Sequence, residues 1–152
     1  MEQEIISKFK VDKVDLGFSK LEDNTLIVHR VAVVGIQVVE ESSPFGVEFE
    51  ISFTTGISVY PSPQILETFK NKRILKPGER PPDSWRRMEI KKKKSAVEEV
   101  IFEDSKLGKY RITVEIEPVM VSVNTEVKTI RGEPYYVVRW APKVSWRKVE
   151  GE

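Results

Sequence analysis

Apolar and polar residues alternate with a period of two through most of this chain, the pattern of half-buried β-strands. The clearest case is Val47 to Thr54, where Val47, Phe49, Ile51 and Phe53 alternate with Glu48, Glu50, Ser52 and Thr54, and Ile57 and Val59 keep the same parity. That strand should turn one face to the core and one to water. Two other stretches change parity midway. Phe9 and Val11 give way to Val14, Leu16 and Phe18, and Tyr110, Ile112, Val114 and Ile116 give way to Val119, Val121 and Val123. A one-residue slip turns every later side chain to the other face unless an extra residue absorbs it. Bulges are therefore expected near Asp12 and Lys13 and at Pro118, with Phe9 and Val14 both on apolar ground. Leu26 to Val39 is apolar at both parities, which predicts a central strand covered on both faces.

Turn residues separate the strands. Ser19 to Asn24, Ser42 to Gly46, Ser105 to Gly108 and Arg131 to Pro134 end runs that otherwise alternate. The last two predict hairpins, one from Val97 to Ile116 and one closing the chain from Val127 to Trp146, with Pro142 confining the final strand to an edge or a bulge. One segment has a helical signal: Ser62 as N-cap, Pro63 at the first helical position, and Ile65, Leu66 and Phe69 on one face. The expected fold is mainly β: a single domain over residues 1–152, an antiparallel barrel or two-sheet sandwich of about seven strands with one short helix.

Charge adds what periodicity leaves out. The 152 residues carry 25 Lys and Arg against 24 Asp and Glu, but the balance is local. From Lys70 to Lys94 there are eleven basic and three acidic residues, whereas residues 1 to 69 hold five basic and eleven acidic ones. Within this basic stretch KPGERPPDS reads as a Pro-rich loop or arm. The chain has no cysteine, which excludes disulfides, thiolate metal sites and cysteine nucleophiles. Few Gln, Asn and Met among abundant Lys, Glu and Val fit the composition of a high-temperature protein. The longest apolar run is too short to span a bilayer and the first ten residues lack an apolar export signal, so no membrane partner is expected and a cytoplasmic location is.

No motif names a reaction or a cofactor. His29 is the only histidine, and without cysteine or a second histidine it reads as a packing residue rather than a metal ligand or a triad base. Glu48 with Glu50, and Glu115 with Glu117, share a face by spacing, the pattern of a wet sheet surface. The glycines show no phosphate-loop spacing. The expectation is a non-enzymatic binding protein with no catalytic residue, metal or cofactor. Its leading candidate site is a DNA- or RNA-binding surface made from Lys70, Lys72, Arg73, Trp85, Arg86, Arg87, Lys91, Lys92, Lys93 and Lys94, which pair cations for phosphates with a ring for a base. The competing bland account pairs the lysine run with Glu98, Glu99, Glu103 and Asp104. The alternative function is assembly, with a protein partner or a second copy docking on a β-edge through Tyr135, Arg139, Trp140 and Trp146, although Tyr136, Trp140 and Trp146 are most simply core.

Overall fold

A computed structural model of the chain describes residues 9–149. Ten strands and one helix follow in the order β1 (Phe9–Asp15), β2 (Gly17–Leu21), β3 (Leu26–Glu40), β4 (Glu48–Tyr60), α1 (Pro63–Phe69), β5 (Arg73–Ile74), β6 (Trp85–Met88), β7 (Ile90–Lys94), β8 (Ala96–Asp104), β9 (Gly108–Lys128) and β10 (Pro134–Lys148). They form two facing sheets and no closed barrel. The four-stranded sheet has the order β4-β3-β2-β7, and the six-stranded sheet runs β1-β8-β9-β10 with β5 and β6 also on β9. All pairs are antiparallel except the two-residue β5 against β9. The barrel alternative is therefore set aside in favour of a sandwich. Among the described residues no helix is long and apolar enough to cross a membrane.

There are more strands than the periodicity suggests because the chain crosses between sheets within runs that look continuous. β1 pairs with β8 in the large sheet, and after Leu16 the chain enters β2 in the small one. The reverse crossing comes at Ser95, between β7 and β8. Gly17 lies where these crossings meet. A Cβ there would come inside 3 Å of the Lys94 carbonyl and the Ala96 amide, so only glycine lets the two backbones pass this closely.

β9 is the spine of the large sheet. β10 runs along one side of it, and β8, β6 and β5 share the other side end to end. The parity switches resolve as bulges. In β1 the register slips between Val11 and Lys13; in β9 it slips between Pro118 and Met120, leaving Val119 as the extra residue. Phe9 packs against the core. Val14 does not gain the cover expected of it: β1 is a sheet edge among the described strands and Val14 stays 37% exposed.

β3 departs from expectation in an instructive way. Its mixed parity has two sources, neither of them a covered second face: Leu26, Val28 and Ala32 put half-exposed apolar side chains on the outer face, and bulges shift the residues from Val34 onward. Ile27, His29, Val31 and Val33 point inward, the register slips at Val34, and Ile36 and Val38 then take over the core face. Val34, the bulged residue, is 62% exposed. Val33 N–H donates to Glu98 Oε1 at 2.8 Å. Glu98, buried at 1% exposure, thus reaches from the large sheet to the backbone of the small one.

The interior divides into two clusters. Val31, Val33, Phe49, Val100, Phe102, Ile112 and Val114 fill one, and Leu21, Ile27, Met88, Val121, Val123 and Tyr136 fill the other together with Ile65 and Phe69 of α1. The helix starts as expected, with Ile65 N–H donating to Ser62 Oγ and Pro63 in the first turn. Leu66, expected on the packed face, is exposed.

Candidate nucleic-acid interface

The stretch 70–94 is mostly fastened to the sheets and does not project as an arm. Asn124 Nδ2 donates to Pro82 O, Thr125 N–H to Ser84 O, and Ser84 and Thr125 share a hydroxyl hydrogen bond. Gly78, at φ 77°, lets the loop turn back so that Arg73 and Glu79 pair at 2.7 Å. That guanidinium, with the Lys76 N–H, holds the Glu79 carboxyl below its usual range. Arg73 is therefore engaged within its own loop.

The other cations divide by face. Lys70 caps α1 at its C-terminus, and Lys72 sits 5.9 Å over the Phe69 ring. Arg86 lies on the same side of β6 as Met88 and pairs with Glu22 at 3.6 Å. Lys93 turns toward β9, donating to Pro118 O at 3.2 Å and pairing with Glu117, whose carboxyl is held low first by Lys93 and then by Lys143. The acid that Lys93 of the run meets is thus Glu117, not one of the β8 carboxylates expected to pair with it. Glu98 is buried, Glu99 faces Arg111 and Thr113, and Asp104 accepts from the Lys106 and Leu107 amides.

Part of the predicted set does converge. Where β6 leaves the large sheet and β7 enters the small one, Arg87, Lys91, Lys92 and Lys93 line an open hollow of about 390 Å³ beside the Val119 bulge of β9. Glu89 is the one carboxylate in its wall. Arg87, Lys91 and Lys92 have no ion-pair partner among the described residues. Two residues before Arg87, on the same outer face, Trp85 meets Tyr135 of β10 with ring centroids 5.9 Å apart. Trp85 is 39% exposed. Arg139, opposite Met120, lies further along that face of β10.

The four residues expected at a docking edge therefore separate. Tyr135 and Arg139 face outward. Trp140 and Trp146 pack on the core, Trp140 edge-on to His29 at 4.6 Å and Trp146 against Phe49 at 5.3 Å, with its indole N–H donating to Val47 O. Lys92 and Lys94 stand on the outer face of the small sheet, because Phe18 pairs with Lys94 and Lys20 with Lys92. The juxtaposition of Trp85 with Tyr135 had no local signal, since fifty residues separate the two.

His29 keeps the packing role expected of it. It is fully buried, its Nε2 is 2.7 Å from the equally buried Ser19 hydroxyl, and its Nδ1 has no protein hydrogen-bond partner. Burial pushes its pKa down to about 4. A serine and a histidine do meet here, but no acid orients the ring and both side chains are sealed from solvent. The glutamate pairs form wet faces: Glu115 and Glu117 share Lys143. No cluster of three or more His, Asp or Glu able to hold a metal occurs among the described residues. No protein-family model, curated protein or solved structure matches this chain.

Proposed function

We propose that this protein binds single-stranded nucleic acid, without catalysis, at the corner where β6 passes into β7. The reading rests on the hollow where Arg87, Lys91, Lys92 and Lys93 converge beside the outward Trp85–Tyr135 pair. Unpaired cations supply the counterion-release term that dominates binding to phosphates, and an exposed ring supplies a surface for an unstacked base. A cytoplasmic location belongs to the same proposal. With Arg87, Lys91 and Lys92 engaged, about three phosphates are neutralised, and the log-log dependence of affinity on salt for a single strand should have a slope near about −2. Fluorescence anisotropy with labelled oligonucleotides at several salt concentrations reads this slope. Arg87→Ser with Lys91→Ser should flatten it and weaken all sequences alike, because phosphate contacts carry no base information. Trp85→Ala should cost about 1–3 kcal/mol on single strands and much less on duplex. Absence of binding at low salt, or indifference to the Arg87 and Lys91 changes, rejects the proposal.

A second reading, docking of a protein partner on β10, is favoured by the outer edge of that strand, which has no neighbour among the described strands. Against it stand Pro142, which offers no N–H, and a strand that carries four cations and no acid. Sedimentation velocity separates the cases. A concentration-dependent dimer that Val144→Pro dissolves would favour β10 assembly, and a monomer up to high concentration would remove self-pairing.

A further inference from the structure

We propose that the outer face of the four-stranded sheet continues this interface and takes the unpaired bases of the same strand. The inference rests on the reading of the β6–β7 corner and adds to it a substrate class, single strands long enough to leave the hollow and cross a sheet. Two cross-strand rows define the face. One runs Lys94, Phe18, Val28, Ser58; the next runs Lys92, Lys20, Leu26, Tyr60. Arg30, opposite Gly56, extends the surface beyond Val28. No carboxylate occurs in these rows, so four cations surround two rings and three aliphatic side chains, counting the neighbouring Leu16.

The apolar part is open. Leu16, Phe18, Leu26 and Val28, with Lys94 at the rim, line a groove of about 420 Å³. Leu16 is 52% and Tyr60 58% exposed. Adjacent strands lie about 4.8 Å apart, so each row spans about 14 Å, room for several nucleotides laid across the strands. Lys92 belongs both to the hollow and to the second row, which joins the two surfaces.

The chemistry selects the occupant. A duplex keeps its bases stacked inside and would leave the apolar groove uncovered, whereas a single strand offers π-faces to rings and phosphates to lysines. A second copy laid face to face on this surface would oppose four cations with four cations. The pattern of cations at the rim and rings between them therefore fits an unpaired polynucleotide.

The test compares labelled dT5 and dT20, an abasic 20-mer and a 20-base-pair duplex, on wild type and three variants: Phe18→Ala with Tyr60→Ala, Lys20→Ser with Lys94→Ser, and Arg87→Ser with Lys91→Ser. Circular dichroism and denaturation midpoints establish that each variant is folded, and the lysine pair tests the face without touching a packed ring. Expected is a gain in affinity from dT5 to dT20 of which the abasic 20-mer keeps only the salt-dependent phosphate part, a loss of about 5- to 150-fold per ring removed on dT20, and no loss on dT5. If dT20 gains nothing over dT5, or the gain survives both face variants while Arg87→Ser with Lys91→Ser still weakens binding, the face is rejected and the corner stands. If the face variants weaken dT20 while the Arg87 and Lys91 changes do nothing, the corner reading fails alone. Failure of every oligonucleotide to bind overturns both, and a dimer dissolved by the Phe18 and Tyr60 changes assigns the face to a second copy.

Discussion

His29 should make the protein lose stability in mild acid, and the single histidine makes the effect directly observable. In the folded state the ring is buried against Ser19 and Trp140, and its pKa is pushed down to about 4. In the unfolded chain it returns to about 6.5. Between these values the unfolded state binds a proton that the folded state does not, so folding stability falls as pH drops from about 6.5 toward 4 and is unaffected above that window. The slope approaches about 1.4 kcal/mol per pH unit, and the full difference sets a ceiling of about 3 kcal/mol. Asp12, Glu79 and Glu117 also have depressed pKa values, from hydrogen bonds to Arg111, Arg73 and Lys93. Their contributions are present above the unfolded carboxylate values and are lost below them, so denaturant melts between pH 7 and 5 isolate the histidine. The proton NMR signal of the imidazole C2–H should not move until pH nears 4. Ser19→Ala with His29→Leu removes both partners together, should cost little at pH 7, and should flatten the profile from pH 7 to 5. A resonance that titrates near 6.5, or a slope that survives the double change, refutes the argument.

Two structural predictions follow from the contacts between the sheets. Gly17→Ala would drive a methyl into the Lys94 and Ala96 backbones, so a loss of at least about 1–3 kcal/mol in denaturant unfolding is expected, and a neutral result would mean that the crossing is looser than described. Glu98→Ala strands the Val33 N–H and should cost about 1–3 kcal/mol, whereas Glu98→Gln keeps an acceptor there and should cost less; the Val33 amide should exchange faster with solvent in the alanine variant only.

Much of the fold was legible because parity is a strict record of which face a residue takes. It located the bulges at Asp12 and Pro118 and, with the turn residues, both later hairpins, while the cap at Ser62 and Pro63 located the helix. It failed at β3 for a definite reason: an apolar outer face left open, followed by a bulge at Val34, yields the same composition as burial on two faces, and only the fold separates them. Crossings between sheets left no apolar break, so β1 and β2 read as one run. At the candidate site, the cations were visible but their directions were not. Lys92 and Lys93 differ by one position, yet one faces outward and the other is held by Glu117 and Pro118. Glu98 looked like one more surface acid because nothing local marks a carboxylate whose partner is a backbone amide on the opposite sheet.

The pairing of β1 with β8 has a consequence for how the chain is made. Phe9 finds its partner at Phe102, so a nascent chain must emerge from the ribosome through more than ninety further residues before its first strand can join a sheet. The hairpins β3–β4, β8–β9 and β9–β10 need only neighbours in sequence and can close early. Docking of β1 closes the longest loop of any strand pairing among the described residues, and non-local pairing of this kind is what slows the folding of β-rich proteins. Meanwhile the edge of β8 stands open to any passing strand. Lys10, Asp12, Lys13 and Asp15 put a charge at four of the seven positions of β1, so the same side chains that guard the finished edge against other strands also disfavour stray pairing of β1 before it docks.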